Sequence, residues 1–383
     1  LIAARTVQAA GASMMMAIGP ALITSAFPSQ ERGKSLGLAG SSVALGLLAG
    51  PLVGGVILQH LSWHWLFFVN LPVGLALLIA AEKANVPDPR GRTRIDLFGA
   101  ALLAASIGFL LFALDRGQSH GWVSAATLSY FALAAALACA FVIIERSTDD
   151  PLIRLGLFKH RDFALGALTG WINYAATSPV PVFIPFYLQH VLGCSAQKTG
   201  LILTSGPLTL ALTAPLAGAV SDRIGSRPLT TAGLAAAGVG LMFLANLSPN
   251  TSLATVVFRL ALTSFGSALF VSPNSSAVMG SVPKDELGVA AGVVALVRNL
   301  GMVCGVAAAG SIITTIRNQY TATGEIGHGA AFQNLAFLAG LRAAFTACAC
   351  LAFAGAVISS FRTTPKAAAS VGIPEQPSSK CTH

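Results

Sequence analysis

Eleven long apolar stretches, separated by short polar connections, constrain this chain more than any other feature. They run over roughly 1–26, 36–58, 64–81, 97–114, 124–144, 163–190, 199–220, 229–247, 253–279, 288–315 and 340–361. A helix that crosses a bilayer needs about 20 mainly apolar residues. In hydrocarbon each backbone N–H and C=O must be bonded within the segment, so runs of this length read as helices. Composition agrees: 54% of the 383 residues are hydrophobic and 10% charged, where a soluble domain carries about 25% charged residues. The expected fold is all-α, a multi-pass membrane protein.

Lysine and arginine in the connections set the orientation. Sixteen lie in alternate connections and the tail, among them Arg32, Lys34, Arg90, Arg146, Arg154, Arg223, Arg227 and Arg362. Four lie on the other side: Arg116, Lys198, Arg317 and Arg342. This split places the C-terminus in the cytoplasm and explains the net charge of +9 without a nucleic-acid partner. The tail after Phe361, rich in Pro, Ser and Ala, reads as disordered. The sequence opens on Leu1, and an N-terminally truncated chain is expected.

An internal repeat is visible at an offset of 255 residues. Pro28, Glu31, Gly33, Gly37, Gly46, Gly50 and Gly55 meet Pro283, Glu286, Gly288, Gly292, Gly301, Gly305 and Gly310. Eight spans separate the copies, an even number, so both copies face the same way across the membrane. Parallel repeats about an axis along the membrane normal are a transporter architecture. In the first copy the stretch GLLAGPLVGG puts Gly46, Gly50 and Gly54 on one helix face. Pro51 removes a backbone bond there. Two readings stay open: close packing through small residues, or a contact that slides or seals between moving helices.

Charge within a span is the functional signal in such a chain. All fourteen acids fall in connections, in the tail or at span ends, with Asp115 and Glu145 nearest to being embedded. Arg5, Arg259 and Arg298 lie within spans. Arg5 and Arg259, near span ends, either snorkel or face a cavity; Arg298 faces the central cavity or a packing seam. Pro179, Pro181 and Pro185 break the span 163–190, and broken helices mark binding regions. Asn173, Tyr174, Phe183, Phe186 and Tyr187 from that span are candidates to line a substrate site, or else pack in a core or meet lipid. His60 and His64 lack a third ligand, and the six cysteines show no zinc spacing, so no metal site is expected. No Walker A sequence is present.

Several motifs resemble those of the major facilitator superfamily, in particular fourteen-span drug:proton antiporters of the EmrB/QacA type. LIAARTVQAAGAS is similar to motif B, with Arg5, Gln8 and Gly11 in place and Ala9 for a glycine. GLLAGPLVGG resembles antiporter motif C through Gly46, Gly50, Pro51, Gly54 and Gly55. WHWLFFVNLPVG resembles the start of span six, with Asn70 and Pro72 in place and His64 where arginine is usual. GAVSDRIGSR resembles the second copy of motif A through Gly218, Asp222, Arg223, Gly225 and Arg227. PLIRLGLFKHRDF is similar to the link before the C-terminal half.

The resemblance implies that the eleven spans are numbers four to fourteen. Residues 1–82 would form a partial N-terminal bundle, 83–162 two extra central spans with their links, 163–361 a C-terminal six-helix bundle and 362–383 the tail. It implies proton-coupled efflux of amphipathic small molecules by alternating access, not an enzyme. No cofactor is expected beyond a proton gradient, the partners being lipid, substrate and protons in a bacterial inner membrane. Asp222 would be a charge clamp near a helix N-terminus. The coupling acid would lie in the missing spans, so these 383 residues alone are expected not to transport. The alternatives are an exporter or importer of one metabolite, and a non-transporting membrane sensor or scaffold. A membrane enzyme with metal-bound histidines would need His pairs at the cytoplasmic face, where His160 stands alone among the span-flanking histidines.

Overall fold

The computed structural model describes residues 2–28, 31–62, 64–83, 96–148, 151, 153–283, 286–322 and 330–362. Its α-helices are α1 (Ile2–Ala26), α2 (Arg32–His60), α3 (Trp65–Phe68), α4 (Asn70–Lys83), α5 (Leu97–His120), α6 (Ala125–Glu145) and α7 (Arg161–Thr177). There follow α8 (Pro179–Phe186), α9 (Ala196–Leu203), α10 (Ser205–Ile224), α11 (Ser226–Ala245), α12 (Leu253–Gly280), α13 (Leu287–Ala322) and α14 (Ala330–Ser360). Among the described residues, nine stretches are long and apolar enough to cross a membrane by length and composition. Residues 36–58 fall within the 29-residue α2, several of whose residues lie outside what the structure describes. Residues 163–190 are divided into α7, α8 and a π-helical turn (Tyr187–Val191).

That division has a local cause. Pro179, Pro181 and Pro185 supply no backbone N–H, so the ladder from α7 cannot continue into α8. The chain ends α7 with Ser178 N–H on Tyr174 O at 3.0 Å. It then widens to an i→i+5 bond from Leu192 N–H to Tyr187 O at 3.2 Å. Four helices start on side-chain caps. Asp96, Ser124, Ser195 and Ser252 accept the amides of Gly99, Thr127, Lys198 and Thr255 at the starts of α5, α6, α9 and α12.

Helices α7 to α14 form the larger bundle. Its core holds Ile184, Tyr187, Leu241, Leu244, Leu341 and Phe345, all at most 1% exposed. Association in lipid lacks the hydrophobic drive that water supplies, so close van der Waals approach has to replace it. Glycines provide it. On α11 and α12, a Cβ added at Gly233 would stand 2.7 Å from Gly266 O, and one at Gly240 would stand 2.7 Å from Thr263 N. Where α13 crosses α7, a Cβ at Gly301 would stand 2.7 Å from Trp171 O, and one at Gly305 would strike Ala175 O. Buried Thr230 and Ser359 add a hydroxyl pair at 2.8 Å between α11 and α14.

Helices α1 and α2 pack on this bundle, α1 mainly against α13 and α2 mainly against α10. The α5–α6 hairpin is tied internally by Ser106 Oγ donating to Ala134 O at 2.9 Å and touches α13 through α5. Helix α4 has no buried residue. The link ahead of α7 carries a 3-10 turn (Leu155–Lys159) whose Leu157 is 2% exposed. It packs with Phe163, Val278 and Leu287. Both copies of the repeat enter their long helix through the same turn, Glu31 N–H on Pro28 O at 3.0 Å and Glu286 N–H on Pro283 O at 3.1 Å.

A side chain at the α11–α12 crossing has no space to occupy, and overpacking costs about 1–3 kcal/mol. Gly266→Val is expected to lower the thermal unfolding midpoint by several degrees, measured by a thiol-reactive dye that reports exposure of buried Cys348. Gly46→Val, at a position with nothing within 4 Å, should leave the midpoint unchanged. Equal midpoints in the two variants would contradict the crossing.

Candidate functional site

The seam between α2 and α10 joins the two groups of helices, and Asp222 closes it. Asp222 lies in the last turn of α10. Its Oδ1 accepts the amide of Gly33 and its Oδ2 the amide of Lys34, each at 3.0 Å. These are amides of the first turn of α2, which have no partner within their own helix. The positive end of the α2 dipole also favours a carboxylate there. Glu31, the residue preceding α2, makes no side-chain cap, so the cap is supplied from across the seam.

Absence of side chains permits this approach. The site of a Cβ on Gly218 is filled by the Gly33 carbonyl, and a Cβ on Gly33 would stand 2.6 Å from Gly218 O. One turn further, a Cβ on Gly37 would stand 2.8 Å from Pro215 Cα. Two hydroxyls lock the backbones together. Ser41 Oγ donates to Ala211 O at 2.6 Å, and Ser272 Oγ of α12 donates to Gly33 O at 2.8 Å. Gly225, in the left-handed region at φ +87, ends α10 with its N–H on Ser221 O at 2.9 Å. It turns the chain into α11, leaving Arg223 and Arg227 exposed.

The sequence predicts a glycine contact on α2 at Gly46, Gly50 and Gly54. In the structure a Cβ on Gly46 or Gly50 meets nothing within 4 Å. The packed glycines are Gly33 and Gly37, half a helix earlier, because α10 lies against that half. Pro51, Gly54 and Gly55 continue the same helix, and their surroundings lie outside what the structure describes. In the second copy of the repeat, by contrast, Gly301 and Gly305 are the packed positions, against α7.

Other residues singled out from the sequence are dispersed. Arg5 Nη1 donates to Gln8 Oε1 at 2.9 Å, and its guanidinium lies 4.5 Å from the Phe67 ring centre. Gly11 faces open space. Asn70 Nδ2 donates to Leu66 O at 3.2 Å across the α3–α4 joint. Pro72 stands in the first turn of α4, where a missing N–H costs little. Half-buried Arg298 occupies the seam between α13 and α1, with Nη2 3.1 Å from Met16 Sδ. Arg259 donates to Phe243 O at 2.6 Å and Asn246 O at 3.0 Å, closing the C-terminus of α11.

The aromatic candidates divide. Tyr187 is fully buried and its OH donates to Ser248 O at 2.7 Å, so it belongs to the core and lines no cleft. Asn173 is also fully buried, its Nδ2 donating to Ser267 Oγ at 3.2 Å. Phe183 packs against the core. Tyr174 is half-buried, and Phe186 is exposed and stacked on His190.

One lock was not read from the sequence at all. Arg362, assigned there to the tail, is 2% exposed. Its Nη1 donates to Asn274 Oδ1 at 2.7 Å, and Asn274 Nδ2 donates to Gly166 O at 3.2 Å. Burial pulls the guanidinium down to about 10, and the nearby charge of Asp162 opposes that shift. The end of α14 is thereby tied to α12 and α7. The available signal was a basic residue directly after an apolar span, which topology explained equally well. Among the described residues there is no group of three or more His, Cys, Asp or Glu that could hold a metal.

The chain is 32% identical over 311 residues to the riboflavin transporter RibZ of Clostridioides difficile (strain 630), covering 80% of this chain and 66% of that protein. It is 30% identical to multidrug resistance protein 3 of Bacillus subtilis (strain 168), covering 82% of this chain and 62% of that protein. Multidrug resistance protein Stp of Mycobacterium tuberculosis (strain CDC 1551 / Oshkosh) is 32% identical, with 82% and 58% covered. The chain thus spans about two thirds or less of the length of these relatives. In fold it is similar to the crystal structure of the human organic anion transporter MFSD10 (TETRAN), with a TM-score of 0.56 at 18% identity over 90% of this chain and 67% of that one. A family model for the Major Facilitator Superfamily matches residues 1–156 and 166–382, and the chain belongs to that superfamily.

Proposed function

We propose that this chain forms the greater part of a proton-coupled exporter of amphipathic small molecules, working by alternating access in a bacterial inner membrane with its C-terminus in the cytoplasm. The observation that carries the reading is the Asp222 seam. One end of α2 is held to the larger bundle by a carboxylate on two helix-start amides, while Gly46 and Gly50 further along meet no neighbour. A closed contact at the Asp222 end is what an outward-open state requires. Orientation by the basic connections puts Asp222 on the cytoplasmic side, where such a contact is the inner gate.

In this reading residues 163–361 move as one bundle against residues 1–82, with 83–162 between them. Arg298, Tyr174 and Phe186 are the residues proposed to meet substrate; Tyr187 is not retained, because its OH and ring are used in the core. A transporter of one metabolite is the second reading, favoured by the similarity to a protein named as a riboflavin transporter. In cells expressing the full reading frame, efflux of a cationic dye that stops on adding a protonophore supports the first. Riboflavin movement without dye efflux supports the second.

Two outcomes test the gate itself. Asp222→Ala removes both acceptors, so the Gly33 and Lys34 amides, protected in the parent, should exchange with deuterium at least tenfold faster while α11–α12 amides stay protected. In the full reading frame, Asp222→Asn is expected to reduce dye efflux to a small fraction of the parent at equal membrane abundance. Unchanged efflux would remove the gating role.

A further inference from the structure

Helix α12 carries Ser272, Pro273 and Asn274 in succession, and its two polar residues are committed to opposite neighbours. Positions two apart on a helix point about 200° apart. Ser272 is 2% exposed and Asn274 6%. Ser272 Oγ donates to Gly33 O at 2.8 Å, on the seam that Asp222 closes. On the other face Asn274 Oδ1 accepts from Arg362 Nη1 at 2.7 Å, and Asn274 Nδ2 donates to Gly166 O at 3.2 Å. A guanidinium only donates and a carbonyl only accepts, so these two partners fix the orientation of the amide. Gly166 makes room for them, since a Cβ there would stand 2.8 Å from Arg362 Nη2.

Between the two polar residues stands Pro273, inside the helix. It has no N–H to give, so its turn of α12 lacks one rung of the backbone ladder. Such a gap is where a helix can bend. The rotation of this turn is therefore set in large part by what holds its two faces. A hydrogen bond from a charged donor is stronger than one between neutral groups. Arg362 stays protonated at neutral pH, burial pulling its guanidinium down only to about 10. Its bond to Asn274 is thus the stronger of the two anchors, and the Ser272 hydroxyl takes the direction that this anchor sets.

We infer that Arg362 is a positioning residue of the inner gate: by holding Asn274 it fixes the rotation of α12 at Pro273, so that the Ser272 hydroxyl meets Gly33 O. It acts on the seam through α12. The inference rests on the gating role proposed for Asp222 and adds to it the side chain that sets the gate's register from the end of α14.

Hydrogen exchange in the purified chain in detergent tests it, as a cycle of Arg362→Gln and Ser272→Ala. Each single variant is expected to speed exchange of the Gly33 and Lys34 amides about fivefold, the equivalent of one lost neutral hydrogen bond, while α11 amides stay as protected as in the parent. The double variant should exchange no faster than Ser272→Ala alone, because residues that act through one another are not additive. Arg362→Lys, which keeps a charged donor for Asn274, should restore parental exchange. If Arg362→Gln fails to fold, Asn274→Ala takes its place in the same cycle. Parental Gly33 exchange in Arg362→Gln would overturn the inference. So would an acceleration as large in the Ser272→Ala background as in the parent, which is loosening of the bundle at large. Asp222→Ala is the control. If it also leaves both amides slow, the gate reading falls; if it speeds them and Arg362→Gln does not, only the role of Arg362 falls.

Discussion

Backbone meeting backbone through glycine is the contact on which the arrangement depends. In a bilayer two apolar helices gain little by leaving lipid for each other, and what holds them is the number of atoms in van der Waals range. Gly33 with Gly218, Gly233 with Gly266, and Gly301 and Gly305 with α7 are the places where side chains are absent and carbonyls come within contact of the neighbouring helix. Around these crossings the hydroxyls of Ser41, Ser272, Thr230 and Ser359 bond into the adjacent helix. A serine or threonine hydroxyl placed in hydrocarbon has to find an acceptor, so each such bond also fixes the register of the pair.

The helical spans and their order were legible in the sequence, because twenty apolar residues in a row leave few structures open. So was the placing of Asp222 at a helix start, through its resemblance to a known motif. The choice among glycines was not. Helix α2 carries small residues along its whole length, and GLLAGPLVGG is the denser run, yet Gly33 and Gly37 make the contact. Close approach is a property of two helices, and a sequence displays one face at a time. The broken span followed from its three prolines, whereas the fate of Tyr187 did not. Its hydroxyl finds Ser248 O across a distant connection, which periodicity does not register.

The two copies of the repeat share a turn and differ in what covers them. Gly46 and Gly301 are equivalent by offset, but Gly301 abuts Trp171 O while Gly46 faces open space. Among the described residues α13 is packed along α7, and α2 is held mainly through α10. Arg362 strengthens the core side by tying the end of α14 to Asn274 and, through it, to Gly166.

The energetics of the α2–α10 seam suit a contact that opens and closes. A hydrogen bond made at the expense of water is worth only about 0.5–1.5 kcal/mol net, more when one partner is charged. In the proposed mechanism the seam parts, and Asp222 and the two amides it caps would then exchange one another for water, and the glycine contacts protein atoms for lipid or water of similar dispersion. Neither change leaves a polar group stranded, because Asp222 and Lys34 lie at the ends of their helices, within reach of solvent. A leucine-filled interface at the same place would bind more tightly and part at greater cost. Small residues and a terminal carboxylate make the contact specific in geometry and modest in depth, which the proposed rocking of two helix groups would require.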